Sequence, residues 1–249
     1  TTAPTATITS TEVDTGGSLN QAATFTVTFS EEMTGIANGD FTVTDTRCVL
    51  SDFTVATANT VFTQICTPDT PGELITLSVG VVGTDPAGNS NTAATDFTWT
   101  YDTTAPTVSS ITFADAALKA GDTSLVTIVF SEAVTAFANA DLTIVGGTMT
   151  AVSSANSGVT WTSTYTPTAD LEDDSNVLIV GAVYTDLAGN AASAGLTSGN
   201  YEIDTLKPTA TNIAMSTSNS NSALAKSGDT ITLTITMSES VTSLSCTID

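Results

Sequence analysis

Histidine is absent from the 249 residues, and only 4 lysines and arginines stand against 26 aspartates and glutamates. Without imidazole there is no Ser–His–Asp or Cys–His arrangement to activate a nucleophile. Three scattered cysteines do not make up for histidine as zinc ligands. The shortage of cations excludes nucleic acid, which needs clustered Lys and Arg to neutralise phosphates, and argues against anionic membrane surfaces. No apolar run approaches the ~18–20 residues of a membrane span, so membrane insertion is not expected. Nor does a basic segment followed by an apolar core open the chain. It opens on "TTAPT", a stretch that Asp102 precedes at its next occurrence. The sequence therefore reads as an excerpt from a longer polypeptide, with any export signal outside it. The formal net charge of −22 points instead to hard cations, or to solubility through self-repulsion.

Pro4, Pro106 and Pro208 recur at an interval of 102 residues, each in a Thr-rich stretch. "TDPAGN" from Thr84 returns as "TDLAGN" from Thr185. A fixed period of this size fits one small domain per repeat. The division is residues 1–101, 102–203 and the N-terminal part of an incomplete third repeat, 204–249. Within each repeat the pattern is alternation. Phe25, Val27 and Phe29 share one face of "ATFTVTF" while threonines share the other. Val126, Ile128 and Phe130 repeat the register, as do Leu233, Ile235 and Met237. Strict period two with β-branched residues outside marks half-buried antiparallel strands. No segment carries a helical period. Several short strands per ~100 residues, separated by Gly-, Asn- and Asp-containing turns, predict an all-β chain of tandem immunoglobulin-like sandwiches in an elongated array.

The stretches "GDTSLVTIVFSEAVTAFANADLTIVGG", "VTWTSTYTPTAD", "TDLAGN" and "YEIDTLKPT" resemble the bacterial Ig-like repeats of very large secreted adhesins and other surface proteins. The likeness covers essentially the whole chain and is strongest in the second repeat. It implies a stalk or extender segment at the bacterial cell surface, whose partners are neighbouring domains of the same chain.

In a sandwich of this type the B–C and F–G loops lie where the chain enters, and the A–B and E–F loops where it leaves. That places Asp102, Glu132, Asp141 and Asp186 at the entry end of the second repeat, with Asn190 nearby. Glu31, Asp40 and Asp85, with Asn89, are equivalent in the first repeat. Asp204 and Glu239 begin the set in the third. The preceding domain's exit loops bring Asp69 and Glu73 to the first junction, and Asp170, Glu172, Asp173 and Asp174 to the second. Two unit charges ~4 Å apart at an effective dielectric of ~20 repel by about 4 kcal/mol. The first repeat has no lysine and the second only Lys119. Ca²⁺, which takes 6–8 oxygen ligands in flexible geometry, is the expected counterion at the domain junctions. The alternative is that these acids cap turns and stay hydrated.

Cys48 and Cys66 align with Met149 and Tyr165 on strands around one hairpin, and an intradomain disulfide is expected of an exported protein. Two buried thiols are the alternative. Cys246 has no partner in its own repeat. The acidic run from Glu172 to Asp174 sits in a turn with no sign of a substrate cleft, and no enzyme is expected. A rival function is a ligand-binding, lectin-like or protein-recognition module, which calls for exposed aromatics. Here Trp99, Trp161 and most tyrosines fall in inward registers. The third repeat, with Leu233, Ile235 and Met237 lacking an opposing sheet, is expected to be completed by further chain, or by another subunit in a head-to-tail filament.

Overall fold

Thr–apolar alternation builds the central strands of both repeats, so that one face meets a core and the other meets solvent. The computed structural model describes residues 2–44 and 47–245; Cys246 lies outside them. The first repeat comprises β1 (Ala6–Ser10), β2 (Gly17–Leu19), β3 (Ala23–Phe29), β4 (Phe41–Val43), β5 (Cys48–Thr57), β6 (Val61–Pro68), β7 (Glu73–Val79) and β8 (Phe97–Tyr101). Two four-stranded sheets form, in the orders β1-β3-β6-β5 and β2-β8-β7-β4. The pairs are antiparallel except β2 with β8, which run parallel. The chain thus leaves the edge of one sheet at β1 and joins the other at β2. Phe25, Val27, Phe29, Phe62 and Cys66 on one inner face are buried against Ile75, Leu77, Val79 and Trp99 on the other. The Phe25 and Trp99 rings lie 4.6 Å apart.

The second repeat comprises β9 (Val108–Phe113), β10 (Ala117–Lys119), β11 (Ser124–Phe130), β12 (Val134–Thr135), β13 (Leu142–Thr143), β14 (Gly147–Met149), β15 (Ser153–Ser154), β16 (Thr160–Pro167), β17 (Glu172–Asn176), β18 (Ile179–Val180), β19 (Thr185–Asp186), β20 (Leu196–Thr197) and β21 (Tyr201–Asp204). Its main sheet orders β14-β16-β11-β9 with β15 also on β16; the opposing layer is β10-β21-β17 and β13-β18-β20. Here β17 and β18 together stand where β7 runs unbroken, because Phe41 faces Val79 and Leu142 faces Val180. Val126, Ile128, Phe130, Tyr165, Tyr184 and Tyr201 fill the core. The described part of the third repeat contains the hairpin β22 (Ala210–Thr217) with β23 (Ile231–Met237), paired antiparallel. Its apolar face is uncovered, with Ile213 66% and Met215 71% exposed.

Cys48 and Cys66 are joined in a disulfide with Cα atoms 5.6 Å apart. The strand register corrects the expected alignment of Cys48. Cys48 faces Pro68 as Gly147 faces Pro167, and Leu50 faces Cys66 as Met149 faces Tyr165. Cys48 therefore corresponds to Gly147, two residues from Met149. A Cβ on Gly147 would meet the Tyr165 ring at 2.5 Å. The tyrosine ring of the second repeat occupies the space that the disulfide fills in the first. Its hydroxyl donates to the Val145 carbonyl at 2.8 Å, and burial pushes that phenol far above its ordinary range.

Candidate cation site at the repeat junction

The chain passes from β8 into the second repeat without slack. The Asp102 N–H donates to the Leu19 carbonyl at 3.1 Å, one step beyond the β2–β8 ladder. The Asp102 carboxylate then accepts the Thr104 N–H at 2.9 Å and turns the linker. Two loops of the second repeat meet this point. The loop after β11 carries Glu132, and β19 carries Asp186 at the start of the "TDLAGN" turn. A short ladder holds the loops together, since β12 pairs with β19 so that Val134 faces Asp186. The Thr135 and Thr185 hydroxyls approach to 3.1 Å. Thr34 and Thr84 repeat this closure in the first repeat, also at 3.1 Å.

Carboxylate oxygens of Asp102, Glu132 and Asp186 lie within 4.8 Å of one another. Oxygens bound to one Ca²⁺ at 2.3–2.6 Å stand at most roughly 5 Å apart, so the spacing and the all-oxygen donor set fit that ion. Asp186 is buried, and both its oxygens are engaged. Asn190 donates its N–H at 2.8 Å and its side-chain amide at 2.8 Å. That amide also donates to the Asp102 carbonyl at 2.9 Å. Glu132 feels the crowding. Partial burial, then the charges of Asp102 and Asp186, push its carboxyl above the usual glutamate range. Ordinary neighbours thus leave an uncompensated negative charge where the three acids converge.

The other expected residues are placed differently. Asp85 repeats Asp186, accepting the Asn89 N–H at 2.8 Å and its amide at 2.6 Å. The Asn89 amide and then its backbone hold the Asp85 carboxyl below the usual range. Glu31 is exposed, and among the described residues it belongs to no group of three acids. Asp40 and Asp141 are likewise outside the trio. Each turns back to accept the N–H of Ala37 or Ala138, at 2.6 and 2.8 Å, closing the single 3-10 turns Asn38–Asp40 and Asn139–Asp141. Local turn chemistry competes for these two carboxylates. Asp204 ends β21 and Glu239 is exposed in the third repeat; neither belongs to a group of three acids among the described residues.

The acids expected from the preceding domain stay outside the trio. Glu73 pairs with Arg47, and Asp69 accepts the Thr70 hydroxyl at 2.9 Å. The first repeat contributes Asn20 instead, whose side-chain amide donates to the Asn190 side-chain carbonyl at 3.1 Å. No repeat signal marks Asn20. Leu19 faces Tyr101 as Leu118 faces Ile203, so Lys119 follows in the second repeat where Asn20 follows in the first. The Glu172–Asp174 run forms the start of strand β17 rather than a turn, and lies beside Glu202 and Asp204 near Lys119, with Asp173 opposite the buried Ile203.

Two stacked sandwiches, joined without slack and sharing a carboxylate-lined seam, define a tandem immunoglobulin-like array. The chain belongs to the bacterial Ig-like domain family, whose family model matches residues 1–101 and again 102–203. No curated protein matches it. Among solved structures it is similar to the D0-D1 domain of Intimin, at 16% identity over 82% of this chain and 98% of that one, with a TM-score of 0.28. Among the described residues no helix is long and apolar enough to cross a membrane.

Proposed function

We propose that the chain is a stalk segment of an extracellular bacterial surface protein, a non-enzymatic array of Ig-like modules stiffened by Ca²⁺ at the domain junction. The observation that carries this reading is the convergence of Asp102, Glu132 and Asp186 from the linker and two loops onto one point. A cation held there ties the linker to the loops of the next domain and removes the repulsion among them. Asp102 and Glu132 are half-exposed, so water screens part of that repulsion. The disulfide suits an oxidising compartment. The largest aromatics serve the cores: Trp99, Tyr165, Tyr184 and Tyr201 are fully buried, which favours a spacer over a recognition module. Self-association into a filament is secondary to this role. It requires another chain's strands on the apolar face of β22 and β23, and a strictly monomeric chain in sedimentation would exclude it.

Extracellular calcium modules bind with Kd near 10⁻⁴–10⁻³ M, and a hundredfold excess over Kd stabilises by about 2.7 kcal/mol. Millimolar Ca²⁺ should raise the melting temperature and narrow the range of interdomain angles seen by small-angle scattering. Asp102→Ala should abolish the response, and Asp115→Ala should leave it intact. Melting and scattering indifferent to Ca²⁺ would overturn the reading.

A further inference from the structure

The contact between Asn20 and Asn190 spans the two repeats and uses no carboxylate of the first. Hydrogen-bond inventory fixes its polarity. The Asp186 carboxylate and the Asp102 carbonyl are acceptors only, so both must take the Asn190 NH₂ group, at 2.8 and 2.9 Å. The Asn190 carbonyl oxygen is then turned toward the first repeat, where the Asn20 NH₂ group donates to it at 3.1 Å. Gly189 lets the loop turn there with φ +90°, and its Cα faces the Asn20 amide, which an added Cβ would meet at an ordinary contact distance of 3.6 Å. Asn20 itself follows directly on Leu19, whose carbonyl receives the Asp102 N–H. One asparagine side chain therefore reads the acid of its own loop, the linker and the preceding domain together.

We propose that Asn20 and Asn190 form a latch that fixes the orientation of the second repeat on the first, independently of any cation. Asn190 is a positioning residue. Its NH₂ group holds Asp186 and the linker in place, and its carbonyl registers whether the first repeat is docked. The latch predicts two layers of stiffness at this junction, one present in chelator and one added by Ca²⁺. It needs no metal, so it and the cation site fail separately.

The test is pulsed electron–electron distance measurement on the full chain in chelator, with spin labels on non-cysteine side chains introduced at Val49 and Leu125. Both positions are exposed, at 63% and 51%. Asn20→Ala leaves the Asn190–Asp186 bonds intact and is the primary variant. The wild type should give one dominant distance. Asn20→Ala should lower the ratio of that population to the rest about fivefold, the effect of one ordinary hydrogen bond. Asn20→Leu keeps the side chain's bulk, and should broaden the distribution as much as alanine. A distribution unchanged in Asn20→Ala would overturn the latch. So would broadening by alanine with none by leucine, which would assign the effect to packing. If Ca²⁺ leaves every distribution unaltered while Asn20→Ala broadens it, the latch stands and the cation site falls.

Discussion

The first and second repeats share a sandwich and solve its filling differently. Between the hairpin strands the first repeat places the Cys48–Cys66 bridge, where the second places the Tyr165 ring against Gly147. Along the side of the sandwich, the first repeat has Ala94, whose N–H donates to the Val79 carbonyl. The second has Leu196 in β20, facing the corresponding Val180 of β18 and packed near β9. In the first repeat a groove of about 390 Å³ runs along β1, lined by Ile8, Val13 and Phe97. The entry-end loops differ far less. The Thr34–Thr84 and Asp85–Asn89 hydrogen bonds of the first repeat recur as Thr135–Thr185 and Asp186–Asn190 in the second. Cores tolerate exchange of one volume-filling solution for another. A junction that must join to its neighbour does not have that freedom.

That contrast can be broken at each point. Reduction of the disulfide, which closes a separation of 18 residues, should cost the first repeat about 3 kcal/mol in the chain-entropy account. Differential scanning calorimetry with and without reductant should show that transition moving while the second repeat's stays. In the second repeat, Gly147→Ala drives a methyl into the Tyr165 ring and the Thr166 carbonyl. Overpacking of this kind costs about 1–3 kcal/mol, visible as a lower denaturant midpoint for the second repeat. Leu196→Ala should cost about 1 kcal/mol, since Leu196 is only partly buried. The reciprocal Ala94→Leu, at a partly buried position on the first core, should change the first repeat's stability by less than about 1 kcal/mol. The smallest effect concerns acid. Asp85 is held below the usual aspartate range by Asn89, so its contribution is present above the ordinary aspartate pKa and lost as pH falls through the lowered value. Asn89→Ala should shift the acid unfolding of the first repeat to higher pH, with no such shift in the second.

Period-two alternation was enough to read the strands, because Phe25, Val27 and Phe29 leave no other face to bury. The 102-residue interval of Pro4, Pro106 and Pro208 likewise marked the repeats. The sandwich order then brought Asp102, Glu132 and Asp186 to one end. Asp40 and Asp141 stand outside that trio because sequence position reports which loop an acid occupies, and says nothing of a backbone N–H three residues away that it accepts. The match of Cys48 to Met149 failed by two residues because seven positions separate Phe41 from Cys48 and only five separate Leu142 from Gly147, a difference in connection length that strand patterning does not register. Asn20 was invisible for a different reason. Its role depends on the docking of two domains, and the second repeat has no counterpart of the same residue type at that register.

The central claim is that three carboxylates converge on the junction to hold a cation, and Glu132→Gln tests it by a change of sign. Its carboxyl titrates above the usual glutamate range. Without cation, the folded chain therefore gains relative stability as pH falls to the ordinary glutamate pKa, and loses it as pH rises through the raised value. Near neutral pH the charge is a liability, and removing it should help. With Ca²⁺ bound, the same carboxylate is a ligand, and removing it should hurt. Melting of the wild type and Glu132→Gln at pH 7 should show the variant more stable in chelator and less stable in millimolar Ca²⁺. A variant displaced in the same direction under both conditions would contradict the account.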